Sequence, residues 1–300
     1  MCANCGCQGD KAVMLDLQTG ETTPIAAVHQ HDDAHDAHTH EHIDGEPHDR
    51  ASHDHAPHRH AGDHHAHSHH AHRPSRVDIV DVETRILAKN DALAANNRAW
   101  FAGREILALN LVSSPGAGKT GLLERTIRDL AGELPLYVIE GDQATANDGE
   151  RIRRAGAAVV QVNTGTGCHL DANMVRRALS ALKPLPGAVV LIENVGNLVC
   201  PALFDLGERA KVVIFSVTDG EDKPLKYPHM FRAAAVVILS KIDLLRSLDF
   251  SLAQAIANVR QTNPEATILQ LSSRTGEGTA EWYDWLRIQL AAARQSAFAK

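Results

Sequence analysis

The chain has 300 residues, is 44% hydrophobic and 22% charged, and carries a formal net charge of −7. Residues 29–72 hold nine acidic residues against two arginines, so the whole net charge sits there and the remainder is balanced. No basic patch argues for nucleic acid, and no apolar run of about 18 residues argues for a membrane span.

Cys2, Cys5 and Cys7 open the chain as Cys-Ala-Asn-Cys-Gly-Cys. Five cysteines, three of them in this cluster, fit reduced thiols in the cytoplasm better than a disulfide framework. The basic and apolar regions of a secretory signal are absent here. Three thiolates this close, with Gly6 permitting a tight loop and a backbone or terminal nitrogen as fourth donor, suit a planar Ni²⁺ site. Residues 14–27 read as a linker without a clear period. Residues 29–72 contain 17 of the 19 histidines and almost no large apolar side chains. Such a tract cannot bury a core, so it reads as a disordered metal store. After the boundary at Arg73-Pro74-Ser75, residues 77–101 read as a helix with an apolar stripe at Val82, Ile86, Leu93 and Trp100. Gly103 stops it. The expected organisation is residues 1–28 (cysteine motif and linker), 29–75 (histidine tract), 76–103 (helix) and 104–300 (one nucleotide-binding domain). The last is a comfortable size for a single core.

From residue 106 strands alternate with helices. Strands are expected at 106–112, 136–139, 157–162, 189–192, 211–217, 235–239 and 267–271, and helices at 120–131, 171–182 and 281–292. Strands that are continuous apolar runs, separated by helices, imply an α/β fold: a mostly parallel sheet covered on both faces. Each candidate functional stretch follows the C-terminal end of a strand, where open α/β sheets bind ligands.

Ser113-Ser114-Pro115-Gly116-Ala117-Gly118-Lys119-Thr120 lies between a strand and a helix and reads as a phosphate-binding loop, with Ser113 at the usual first glycine. Gly116, Ala117 and Gly118 bring backbone N–H groups to phosphate oxygens. Lys119 is expected to reach the β- and γ-phosphates and Thr120 to ligate Mg²⁺. Asp142 and Glu193 end the next strands, and either is placed for Mg²⁺ or for the attacking water. Ser240-Lys241-Ile242-Asp243 resembles the Asn-Lys-x-Asp guanine motif. Asp243 would accept from the guanine N1–H and N2–H₂, Lys241 would lie along the base, and Ser240 alters one structural contact. Ser272, Ser273 and Arg274 stand where a loop meets the guanine carbonyl. GTP and GDP are therefore the expected nucleotides. Cys168, His169 and Cys200 follow strand ends near the γ-phosphate side, and thiolate plus imidazole suit Zn²⁺ or Ni²⁺. Three donors leave a tetrahedral ion incomplete, and a two-fold dimer would complete it.

These stretches, with Glu-Asn-Val-Gly-Asn-Leu-Val-Cys-Pro at 193–201 and Asp-Gly-Glu-Asp-Lys-Pro-Leu-Lys-Tyr-Pro at 219–228, resemble the HypB family of GTPases that help insert nickel into [NiFe] hydrogenase. The resemblance implies a cytoplasmic dimeric P-loop GTPase of the SIMIBI class, with slow intrinsic turnover. It implies a tight nickel site at Cys2, Cys5 and Cys7. A second nickel or zinc site at Cys168, His169 and Cys200 would be coupled to nucleotide state and dimerisation. The partners it implies are a HypA-like zinc accessory protein and the hydrogenase large-subunit precursor.

Overall fold

The computed structural model describes residues 12–25, 76–143 and 146–298. The N-terminal cysteine motif and the histidine tract lie outside the described residues. The chain divides into one unit of Met1–Ala27 with Asp81–Lys300 and another of Val28–Val80.

The chain begins with a hairpin, β1 (Val13–Asp16) and β2 (Thr22–Pro24), followed by a long helix, α1 (Arg76–Ala102). Alternation then sets in with β3 (Leu107–Ser113), α2 (Lys119–Asp129), β4 (Leu136–Asp142), α3 (Asn147–Ala155), β5 (Ala158–Asn163) and α4 (Ala172–Leu182). Next come β6 (Val189–Glu193), the short α5 (Cys200–Leu203), β7 (Ala210–Ser216), α6 (Lys223–Lys226), α7 (Pro228–Ala233) and β8 (Ala234–Ser240). A 3₁₀ turn (Ile242–Ser247), α8 (Leu252–Thr262), β9 (Thr267–Leu271) and α9 (Thr279–Phe298) close the chain.

Nine strands form one sheet in the order β2-β1-β5-β4-β6-β3-β7-β8-β9. From β5 to β9 every pairing is parallel, as the apolar runs and intervening helices require. After β3 the chain builds the sheet on one side through β4, β5 and β6, and then crosses to β7. The switch point therefore lies at the C-terminal ends of β3, β6 and β7, where ligands bind in such sheets.

Alternate residues of the buried strands serve two layers. Leu107, Leu109 and Leu111 of β3 face α2, α3 and α9, including Leu122, Ile152, Trp282 and Leu286. On the opposite face Ala108, Ile139, Val160 and Ile192 pack with Phe101 of α1 and Val175 and Leu179 of α4. Val213, Phe215 and Val237 pack with Phe231 of α7 and Val259 of α8. Asn110, fully buried on β3, stands between these two groups and begins a polar seam.

Two local expectations fail for physical reasons. Residues 14–27 are not simply a linker. β1 pairs antiparallel with β5, placing Met14 opposite Val162, and Met14 and Ile25 join the core. Four residues of strand are too few to display a period, and it is the open edge of β5 that makes them one. Nor does α1 dock only through the expected apolar stripe, of which Leu93 and Trp100 are half-buried, Trp100 against the core. Ile86 is 37% exposed, and the buried positions are Asn90, Ala94, Asn97 and Phe101. That face is half polar because Asn90 and Asn97 meet backbone groups, while Phe101 packs in the core.

Candidate nucleotide and metal site

The turn after β3 is shaped for phosphate. Gly116 and Gly118 have φ of 73° and 104°, and α2 begins at Lys119 with its first N–H groups pointing into the loop. Ser113 holds the lysine: Lys119 Nζ donates to Ser113 Oγ at 2.9 Å, and Ser113 Oγ donates to Ser114 O at 2.6 Å. Burial lowers the Lys119 pKa, opposed by the negative charges of Glu193, Asp148, Glu140 and Asp142. Thr120 Oγ1 donates to Glu193 Oε1 at 2.8 Å.

Glu193 ends β6 directly beside Glu140 of β4 in parallel register. Both are buried, and the Oε2 atom of each has no hydrogen-bond partner among the described residues. Burial pushes the Glu193 carboxyl up to about 7, against the charge of Lys119 and the Thr120 hydrogen bond. Burial, followed by the charges of Glu193, Asp142 and Asp148, raises Glu140 to about 9. Asp142 sits half-buried at the end of β4, on the same face as Glu140. Thr120, Glu193 with its unpartnered Oε2, and Asp142 at the strand end offer a hard oxygen donor set that fits Mg²⁺. Glu140 was not among the sequence candidates. Its sequence signal was an acid within an apolar strand, two residues before Asp142; only the register of β4 and β6 sets it level with Glu193.

At the other end of the loop, Ser240 Oγ donates to Ala117 O at 2.7 Å. Serine thus makes a tie to the loop where the motif usually has asparagine. Lys241 adopts a left-handed φ of 60° and donates from Nζ to Gly116 O at 2.7 Å. Such a conformation in a non-glycine residue is held in place by its surroundings and is concentrated at functional sites. The Asp243 carboxylate accepts from Ser272 Oγ at 2.5 Å and from Arg274 Nε at 2.9 Å. The Ser272 bond, and then Arg274, hold its pKa below the ordinary aspartate value. Ser273 lies over Gly121 of α2. The loop and the candidate base-reading residues are therefore assembled together.

Cys168, His169 and Cys200 also converge. Their ligand atoms lie within 4.8 Å of one another. Cys168 Sγ is 3.1 Å from Cys200 Sγ and 3.6 Å from His169 Nδ1. The His169 ring packs on Phe204 with centroids 3.9 Å apart. Burial lowers the His169 pKa to about 4, so the imidazole is neutral and able to ligate a metal near neutral pH.

Residues 193–197 touch both sites. Glu193 meets Thr120. Asn194 Oδ1 accepts from Leu170 N, beside His169, at 3.1 Å. Asn197 Nδ2 donates to Cys168 O at 3.3 Å, and its Oδ1 accepts from Val199 N, beside Cys200, at 2.8 Å. A side-chain carbon on Gly196 would lie 3.0 Å from Pro115 Cα, so the phosphate loop packs directly on this segment.

Residues 107–270 match the family described as CobW/HypB/UreG, nucleotide-binding domain. The hydrogenase maturation factor HypB of Rhizobium leguminosarum bv. viciae is 58% identical over 217 residues, 72% of this chain and 73% of the relative. That of Escherichia coli K12 is 54% identical over 214 residues, 71% and 74% of the two chains. The chain belongs to the HypB family. Two HypB crystal structures superpose on it with TM-scores of 0.64. One, from Archaeoglobus fulgidus, has 38% identity and covers 68% of this chain and 99% of its own. The other, from Helicobacter pylori in complex with nickel, has 36% identity and covers 68% and 96%. In this HypB-family chain every sequence candidate from Gly116 to Arg274 falls at the C-terminal edge of the sheet or in the loops around it. Cys2, Cys5 and Cys7 lie outside the described residues. Among the described residues no helix is long and apolar enough to cross a membrane.

Proposed function

We propose that this chain is a GTP-hydrolysing nickel metallochaperone that stores nickel and delivers it during maturation of [NiFe] hydrogenase. Metal release is coupled to nucleotide state and to dimerisation. The observation that carries this reading is residues 193–197, which bond to the phosphate loop at one end and to both halves of the cysteine–histidine cluster at the other. The names of the relatives and the nickel complex of the H. pylori protein support the metal and the pathway.

Lys119 exchanges Ser113 Oγ for the β- and γ-phosphates. Thr120, with Glu193 and Asp142, would hold Mg²⁺, which would neutralise charge on the phosphates when bound. Asp142 or Glu193 orients the attacking water. Replacing the direct Thr120–Glu193 hydrogen bond, as both groups turn to the bound nucleotide, lets residues 193–197 shift, changing the spacing of Cys168 and Cys200. The nucleotide thereby biases a two-state element. Turnover is slow, which suits a timer rather than a metabolic enzyme. Asp243 selects guanine, so GTP competes with labelled nucleotide where ATP does not; equal competition would favour an ATP-using kinase of similar fold.

Three donors leave a four-coordinate Ni²⁺ or Zn²⁺ one ligand short. Val199 and Leu203, which flank Cys200, are 54% and 58% exposed. A second copy of the chain covers these apolar groups and completes the coordination. The N-terminal cysteines and the histidine tract hold the reserve. A HypA-like zinc protein and the hydrogenase large-subunit precursor are the exchange partners in the cytoplasm.

The test is nickel and zinc titration with GDP and with a non-hydrolysable GTP analogue, following dimerisation by sedimentation. The protein should lack residues 29–72 and carry serine at positions 2, 5 and 7, but retain the β1–β2 hairpin that extends the sheet. Tighter binding or dimer formation in one nucleotide state, lost in Cys168→Ala or Cys200→Ala, is expected. Identical behaviour in both states would sink the coupling.

A further inference from the structure

The two halves of the cysteine–histidine cluster come from separate loops, and α1 stitches those loops together. Asn90 and Asn97 lie two turns apart on one face of α1 and are 5% and 2% exposed. Asn90 Oδ1 accepts from Ala172 N at 2.9 Å, and its Nδ2 donates to Asp205 O at 2.7 Å. Asn97 Nδ2 donates to Ala172 O at 2.8 Å and to Leu206 O at 3.0 Å. Two amides thus hold both backbone groups of Ala172 and two successive carbonyls across from it.

Both strips of backbone lead to the cluster. Ala172 opens α4, just past Cys168 and His169. Asp205 directly follows Phe204, whose ring lies against His169, and Phe204 closes the short helix that begins at Cys200. Gly207, at φ 88°, lets the second strip approach α1 closely: a side-chain carbon there would lie 2.6 Å from Ala94 O. Arg98 Nη2 adds a bridge, donating to both carboxylate oxygens of Asp205 at 2.7 and 2.6 Å.

Apolar packing would bury this face at less cost, because a buried amide is tolerable only when its hydrogen bonds are made. What hydrogen bonds supply instead is position: they weaken steeply with distance and angle, whereas apolar contact tolerates sliding. Residues 193–197 also bond to these loops, and α1 adds a second anchor that meets their polar seam at Leu206, whose N–H donates to Glu208 and whose carbonyl accepts from Asn97.

We propose that Asn90 and Asn97 are positioning residues for the metal cluster, fixing the spacing of its two loops and hence its affinity for metal. This rests on the reading of Cys168, His169 and Cys200 as a metal site. The experiment uses the full-length chain with Cys2→Ser, Cys5→Ser and Cys7→Ser, which leaves Cys168 and Cys200 as its cysteines. Cobalt(II) chloride is the probe. Its thiolate charge-transfer band in the near ultraviolet reports those two sulfurs, and the imidazoles of the histidine tract add nothing to it. A saturable band that disappears in Cys168→Ser establishes the site. No band in the parent would remove the metal reading and this inference with it.

With the site established, Asn90→Ser combined with Asn97→Ser is expected to weaken cobalt binding by about tenfold or more and to shift the band. GDP affinity should stay within about twofold, since neither residue approaches the nucleotide loop. Asn258→Ala is the control. It removes a similarly buried asparagine that bonds to Glu221 O on the far side of the domain. Cobalt affinity unchanged in the α1 variant, or lost equally in the control at matched melting temperature, overturns the proposal. Should the double variant not fold, Arg98→Ala decides. Arg98 is exposed, and losing its bridge to Asp205 is expected to weaken cobalt by about two- to threefold; no change would refute the positioning role.

Discussion

Replacing Asn194 with alanine puts the proposed link between the nucleotide and metal sites under direct strain. Asn194 is 1% exposed. Its Oδ1 accepts from Leu170 N at 3.1 Å and from Val195 N at 3.0 Å, and its Nδ2 donates to Asn110 Oδ1 at 3.2 Å. The seam continues from Asn110 Nδ2 to Glu208 Oε1 at 3.2 Å, while Glu208 Oε2 accepts from Leu206 N at 2.7 Å. Alanine takes these partners from the Leu170 N–H and from Asn110 Oδ1 in a buried setting. Each orphaned group costs about 1–3 kcal/mol, so the Leu170 N–H and Asn110 Oδ1 together cost roughly 2–6 kcal/mol, before the Val195 N–H is counted. That is a large part of the roughly 5–15 kcal/mol by which domains are stable. Urea unfolding measures the loss. Nickel titration with GDP and with a GTP analogue measures the coupling. The expected result is that loss together with a nickel affinity ratio that collapses towards one. A loss below about 1 kcal/mol with the ratio intact would refute the argument that Asn194 carries the link.

Lys119→Ala should abolish GTP hydrolysis while metal binding by the N-terminal segments persists; retained turnover would overturn the assignment of the phosphate loop. Deleting residues 29–72 should leave hydrogenase activity intact when nickel is ample and lower it when nickel is scarce; failure at ample nickel would give the tract a role beyond storage. Trp282 is fully buried, stacks on Trp285 and donates to Thr126 Oγ1 at 3.0 Å, so Trp282→Ala should cost roughly 3–5 kcal/mol in denaturant unfolding. A smaller loss would mean that α9 repacks. Asp243 has a depressed folded pKa, first through Ser272 and then through Arg274. Its contribution to stability is therefore present above the unfolded value, about 3.9, and is lost as pH falls through the folded value. Ser272→Ala should move acid unfolding to higher pH, and an unchanged acid midpoint would contradict the role of that hydrogen bond.

Much of the fold was legible because local physics and tertiary structure agree. A strand buried on both faces has to be apolar throughout, so β3, β6, β7 and β8 stood out, and the loop after β3 announced itself through Gly116, Gly118, Lys119 and Thr120. Cys168, His169 and Cys200 could be grouped as candidates because few residue types ligate soft metals. Their approach to within 4.8 Å was not legible, since it depends on how two loops after β5 and β6 are folded together.

What the chain determined by itself was the chemistry on offer: a candidate phosphate loop, a motif resembling a guanine reader, and thiolate and imidazole donors, each written as a short local pattern. What the tertiary structure decided was which ordinary residues serve that chemistry. Asn90, Asn97, Asn110 and Asn194 carry no motif, and Glu140 becomes notable only beside Glu193. The β1–β2 hairpin is a strand pair because β5 offers it an edge. Buried amides and carboxylates take their meaning from the partners that fold around them. Those partners lie far away in sequence, so no local period reveals them.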